Sequence, residues 1–185
     1  CSSDLTKKGT GFSIVGMQKV KLPPGTTDKG IIKDPETVAR CLKEALISAK
    51  PHRIKTPYLV ASLPEAHTFI RTINLPKMPA EELQEAAKWE TEQHIPLSSD
   101  KVYLDFQKIS DFKATSEYLV AASPKPLVDG YLKIFKSLKL KPVAFEPEAI
   151  SLTRAIVPDQ DKQASVLVID LDRKSTRLNS SHRIR

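Results

Sequence analysis

Along this chain the spacing of apolar residues switches repeatedly between two and about 3.6, and prolines stand at many of the switches. Phe12–Val20 reads as a strand, followed by the Pro23-Pro24-Gly25 turn. Asp34-Pro35 places an N-cap and an N1 proline at the start of a helix. Its apolar stripe is Val38, Cys41, Leu42, Ala45, Leu46 and Ala49, and Pro51 stops it. Tyr58–Ser62 is a continuous apolar run, the pattern of a strand buried on both faces. His67–Leu75 alternates Phe69, Arg71, Ile73 and Leu75 with Thr68, Ile70, Thr72 and Asn74, which predicts a strand with two usable faces. A helix follows from Pro79 to Gln93, with Glu81, Glu82 and Glu85 at the dipole-favoured end and Leu83, Ala86, Ala87 and Glu90 on one stripe, Trp89 beside it.

The second half repeats the alternation. Strands are expected at Val102–Ile109 and Glu117–Ala122, then a helix at Leu127–Leu138 with Leu127, Tyr131, Ile134, Phe135 and Leu138 inward. A strand at Pro142–Glu146, a helix at Glu148–Ile156 and a last strand at Ser165–Leu171 complete the series. The order implies mixed α/β, a parallel sheet carrying an antiparallel insertion.

The function classes this leaves are few. No apolar run approaches the ~20 residues that cross a bilayer as a helix. Two cysteines make neither a disulfide framework nor a zinc site, which points to a reducing cytoplasm, and Cys41 falls in a core stripe. The four histidines lack partners at metal spacing, and no nucleophile elbow, dinucleotide fingerprint or phosphate-cradling loop occurs among six glycines. The net charge of +7 suggests nucleic acid, yet Arg173, Lys174, Arg177, Arg183 and Arg185 crowd one end. Lys133, Lys136, Lys139 and Lys141 form only a modest patch.

That basic end has a separate explanation. Asp172-Arg-Lys-Ser-Thr-Arg-Leu-Asn-Ser-Ser-His182 resembles a translated sequencing-adapter oligonucleotide, and Cys1-Ser-Ser-Asp-Leu5 resembles the same oligonucleotide on the opposite strand. The codons GAT CGG AAG AGC ACA encode Asp-Arg-Lys-Ser-Thr; their reverse complement contains TGC TCT TCC GAT C, which encodes Cys-Ser-Ser-Asp. Residues 1–5 and 172–185 are therefore expected to be foreign, and no nucleic-acid partner is expected. The body, 6–171, is read as part of a longer protein.

Leu63-Pro-Glu-Ala-His-Thr-Phe-Ile-Arg-Thr-Ile-Asn-Leu-Pro76, Glu82-Leu-Gln-Glu-Ala-Ala-Lys-Trp-Glu-Thr-Glu-Gln-His-Ile-Pro96, Asp105-Phe-Gln107 and Leu22-Pro-Pro-Gly25 with Ile32-Lys-Asp-Pro35 together resemble the PilM family of type IV pilus assembly. The resemblance implies an actin-like (ribonuclease H-like) first lobe, incomplete here, with a small inserted α+β subdomain like that of FtsA. The lobe would run 6–66, the insertion 67–123, and the return to the lobe 124–171. Related actin-fold adaptors of cell division or type II secretion are the alternative.

The resemblance also implies ATP and Mg2+ in the full-length protein, with no cofactor or enzymatic activity expected for this chain, because the first phosphate loop would precede Thr6. The second such loop would follow Val166–Leu171, where Asp170 matches and Asp172 stands in place of glycine. Phe145-Glu146-Pro147-Glu148-Ala149 resembles the step at which related proteins hold a metal-bound water, which points to Glu146 as a vestigial nucleotide-site residue or, equally, a residue that only starts a helix.

The implied partner is the cytoplasmic N-terminal peptide of PilN, within the pilus assembly complex at the inner face of the inner membrane, reached through that partner. The peptide would lie extended in a groove between the lobe and the insertion. The expected groove residues are Arg71, Ile73, Leu75 and Pro76 at the strand end and Trp89, Glu90, Ile95 and Pro96 at the helix end. Arg71 has a second reading, as a structural partner of Glu90 or another acid.

Overall fold

The structure is a computed structural model and describes residues 2–8, 11–95, 98–157, 168, 171–172 and 175–176, with side chains over 13–95, 98–157 and at 168. In chain order the strands and helices are β1 (Ser2–Lys8), β2 (Gly11–Gln18), β3 (Thr27–Asp28), β4 (Ile31–Ile32), α1 (Pro35–Ser48), β5 (Lys50–Pro51), β6 (Tyr58–Leu63), β7 (Phe69–Pro76), α2 (Ala80–Glu92), β8 (Val102–Asp111), β9 (Thr115–Pro124), α3 (Lys125–Ser137), β10 (Lys141–Pro147), α4 (Glu148–Ile156), β11 (Leu171–Asp172) and β12 (Ser175–Thr176). The chain divides into two compact units, one of Cys1–Ala61 with Pro126–Phe145, the other of Ser62–Lys125 with Glu146–Arg185. The expected insertion, 67–123, lies inside Ser62–Lys125; the stretch from Glu146 onward falls in that same second unit.

In the first unit β1, β2 and β5 form an antiparallel sheet, and β1 takes in Ser2–Leu5, which the codon argument assigns to foreign sequence. β2 approaches the chain after β5 so closely that a Cβ on Gly16 would stand 2.0 Å from the His52 carbonyl oxygen, so only glycine fits. The Asp34 side chain caps α1 by accepting from the Thr37 N–H at 3.0 Å, which holds its carboxyl below the usual range. Cys41, Ala45 and Ala49 are buried on the predicted stripe, and Leu127, Val128, Ile134 and Phe135 of α3 add to this unit's core.

The Leu22–Pro35 motif is structural. Buried Thr26 donates its hydroxyl to the Pro23 carbonyl, and its own carbonyl accepts from the Lys33 and Asp34 N–H groups. One residue thereby closes the turn and sets the start of α1.

β6 departs from expectation. It pairs with β10, and its residues alternate in exposure: Tyr58 and Val60 stand 60% and 62% exposed while Leu59 and Ala61 are half-buried. An apolar run is buried on both faces only where layers cover both, and here one face is open. Of the expected strand at Ser165–Leu171, residues 165–167 and 169–170 lie outside the described residues; β11 pairs Leu171 with Thr176.

The second unit is built on an antiparallel sheet of order β7-β9-β8, so β9 is central and β7 and β8 are edges. The register sets Arg71 opposite Val120 and Ile73 opposite Tyr118, with Val120 in turn opposite Phe106. Period two therefore puts Ile73, Leu75, Tyr118, Val120, Leu104 and Phe106 on one face. α2 covers that face: Ala87, fully buried, joins Ile73, Leu75, Tyr118 and Val120 in one core, with Met78, Leu83 and Ala86 against it. Phe106 meets the Tyr118 ring edge-on at 6.1 Å. At the β8–β9 hairpin, Asp111 accepts from Lys108 Nζ at 2.8 Å and from the Ser116 hydroxyl, which together lower its pKa; the same contact raises that of Lys108.

Candidate functional site

α2 is shorter than the face it covers. It ends at Glu92, where the His94 and Ile95 N–H groups turn back onto the Thr91 carbonyl. The Leu75 end of β7 is thus sealed and the Phe69 end is left open. The opening is a pocket of about 180 Å³ lined by Phe69, Ile70, Arg71, Ile73, Thr91, His94, Ile95 and Val120, all within the second unit.

Its floor and walls are apolar, and two of its three polar groups are already engaged. The Thr91 hydroxyl donates to the Ala87 carbonyl one turn back. His94 Nε2 lies 3.4 Å from Glu90 Oε1 on the same helix. The guanidinium of Arg71 has no carboxylate partner among the described residues, because the acid expected for it, Glu90, faces His94 instead. Arg71 is exposed on an edge strand whose outer backbone groups have no strand partner among the described residues.

The predicted groove residues are spread over several environments. Arg71, Ile73 and Ile95 meet in the pocket. Leu75 is 5% exposed in the core, and Pro76 is exposed at the far end of β7. Glu90 reaches the pocket only through His94, and Trp89, 70% exposed, projects from α2 two residues before Thr91, about 200° round the helix and away from the buried face. Pro96 lies outside the described residues.

Phe69, Ile70, Thr91, His94 and Val120 line the pocket without having been singled out from the sequence. Val120 enters through strand register, which residue spacing does not encode, whereas Thr91 and His94 lie at i, i+3 on the predicted helix end.

Asp170 lies outside the described residues. Glu146 accepts a hydrogen bond from Arg154 Nη1 within the second unit. No group of three or more His, Cys, Asp or Glu among the described residues is placed to hold a metal ion. Likewise, no helix among them is long and apolar enough to cross a membrane.

Comparison with known proteins adds identity to this geometry. No curated protein matches the chain. Among solved structures, the PilM-PilN type IV pilus biogenesis complex matches with a TM-score of 0.77 at 24% identity, over 89% of this chain and 49% of that one. The chain thus spans about half the length of that relative and shares its mixed α/β, actin-like fold. The cytoplasmic domain of EpsL, an inner-membrane component of the type II secretion system of Vibrio cholerae, matches at 13% identity over 63% of this chain and 44% of that one, with a TM-score of 0.46, too low to carry an argument. The family described as type IV pilus assembly protein PilM matches residues 3–183. The chain belongs to the PilM family of type IV pilus assembly proteins.

Proposed function

We propose that this chain is a binding module of the pilus assembly machinery and that the pocket beside β7 receives an extended segment of a partner protein, the cytoplasmic N-terminal peptide of PilN. The observation that carries the reading is the coincidence of an uncovered apolar pocket with an open strand edge. An extended peptide can gain backbone hydrogen bonds from the β7 edge and bury alternate side chains among Ile73, Ile95, Val120 and Phe69. Similarity to the PilM-PilN type IV pilus biogenesis complex supports the choice of partner. The same reading puts the protein at the inner face of the inner membrane, held there by its partner.

Catalysis is not part of the proposal. ATP and Mg2+ remain the proposed ligands of full-length members of the family, with Asp170 the residue to test.

The test is fluorescence anisotropy of a labelled synthetic PilN N-terminal segment titrated with the full chain. Saturable binding that Ile95→Asp weakens at least about tenfold is expected, since a charge in the pocket must be desolvated. Binding unchanged by Ile95→Asp contradicts the reading.

A further inference from the structure

The pocket carries information about the sequence of its occupant, not only its shape. Three observations bear on this. Arg71 is the pocket's polar side chain without a partner among the described residues, since Thr91 is bonded back to its own helix and His94 lies 3.4 Å from Glu90. It sits on the same face of β7 as Phe69 and Ile73, one pleat from each. β7 is an edge, so a strand laid along it continues the sheet and presents its own side chains with the same period of two.

From these we infer that the pocket selects an extended segment in which an acidic residue and an apolar residue stand two positions apart. The acidic side chain pairs across the strands with Arg71, and the apolar one enters between Ile73 and Ile95. Directly opposed residues on neighbouring strands lie within about 4.5–5.5 Å at Cβ, close enough for a guanidinium to take a carboxylate through two N–H donors. Arg71 is exposed, so an acid opposite it gains from the two-donor geometry and not from burial. A lysine or arginine there would leave two cations facing each other beside His94.

The inference rests on the proposed function for the site, and the experiment separates the two. The labelled PilN N-terminal segment is titrated against the full chain and against Arg71→Glu, with circular dichroism confirming that the variant is folded. Each Asp and Glu of the peptide is also replaced in turn by Lys. The expected result is a loss of about tenfold or more for Arg71→Glu, and recovery of that loss by one acid-to-Lys peptide whose neighbour two positions away is apolar. Wild-type binding that Arg71→Glu leaves unchanged, or a loss that no peptide charge reversal recovers, overturns the inference and leaves the PilN reading standing. A second arm selects a random twelve-residue peptide library on the wild-type chain, with Arg71→Glu as the counter-target. Enrichment of an acid two positions from an apolar residue supports the inference even where the PilN segment fails to bind, which would sink the choice of partner alone; enrichment without an acid overturns it.

Discussion

The two ends of β7 are made of similar residues and have opposite fates. At one end Leu75, 5% exposed, lies under α2 with Ala87 and Tyr118. At the other, Phe69 is 37% exposed beside Arg71, because α2 has already ended. Period-two patterning assigns both ends to the same face and says nothing about how far the covering helix reaches. The length of α2 therefore decides where this strand stabilises the fold and where it is free to bind. A single strand can serve both purposes, since the sealed end anchors the position of the open one.

Substitutions along β7 and α2 should separate these roles. The largest expected effect is at the sealed end: Leu75→Ala removes about 3 kcal/mol of stability by leaving a cavity under α2, read as a fall in the urea midpoint. An effect below about 1 kcal/mol would mean that α2 does not seal that end.

Phe69→Ala at the open end should cost less, about 1–2 kcal/mol, because the residue is 37% exposed. It should still weaken the PilN segment several-fold in the anisotropy titration. Equal stability losses at Phe69 and Leu75 would erase the comparison.

Acid should act at the β8–β9 hairpin, whose Ser116 stands opposite Leu75 of β7. Asp111 has its pKa lowered by Lys108 and Ser116. Its stabilising contribution is therefore complete above the unfolded value near 3.8 and is lost as pH falls through the lower folded value. Asp111→Asn should flatten that part of the pH–stability curve while leaving peptide affinity unchanged near neutral pH. A loss of peptide affinity in this variant would couple the hairpin to the pocket.

The smallest effect is expected at Trp89, the chain's single tryptophan. Trp89→Ala should change stability by no more than about 0.5 kcal/mol, and the wild-type emission maximum should stay in place when the peptide binds. A blue shift on binding would bring the outer face of α2 into the site.

How much of this was legible in the sequence follows from the range of the interactions. The Asp34-Pro35 start of α1 and its buried stripe, the acidic first turn of α2, and the β8–β9 hairpin were all readable, because capping and periodicity are local. The exposure of Tyr58 and Val60 was not, since an apolar strand reads the same whether one or both faces are covered. In the site, Arg71, Ile73 and Ile95 were legible as marks of the segment ends. Val120 needed the strand register, and the lack of a carboxylate partner for Arg71 among the described residues needed the observation that Glu90 turns to His94. The outward direction of Trp89 was within reach of helical spacing, since an i, i+4 ladder through Leu83, Ala87 and Thr91 leaves residue 89 on the far side.

The most direct test of the central claim is amide hydrogen exchange of the full chain with and without the PilN N-terminal segment. The account predicts new protection concentrated in Phe69–Ile73 of β7 and at His94 and Ile95, with the Leu75 end already slow in the free chain. Protection that leaves 69–73 unchanged and appears elsewhere would contradict it.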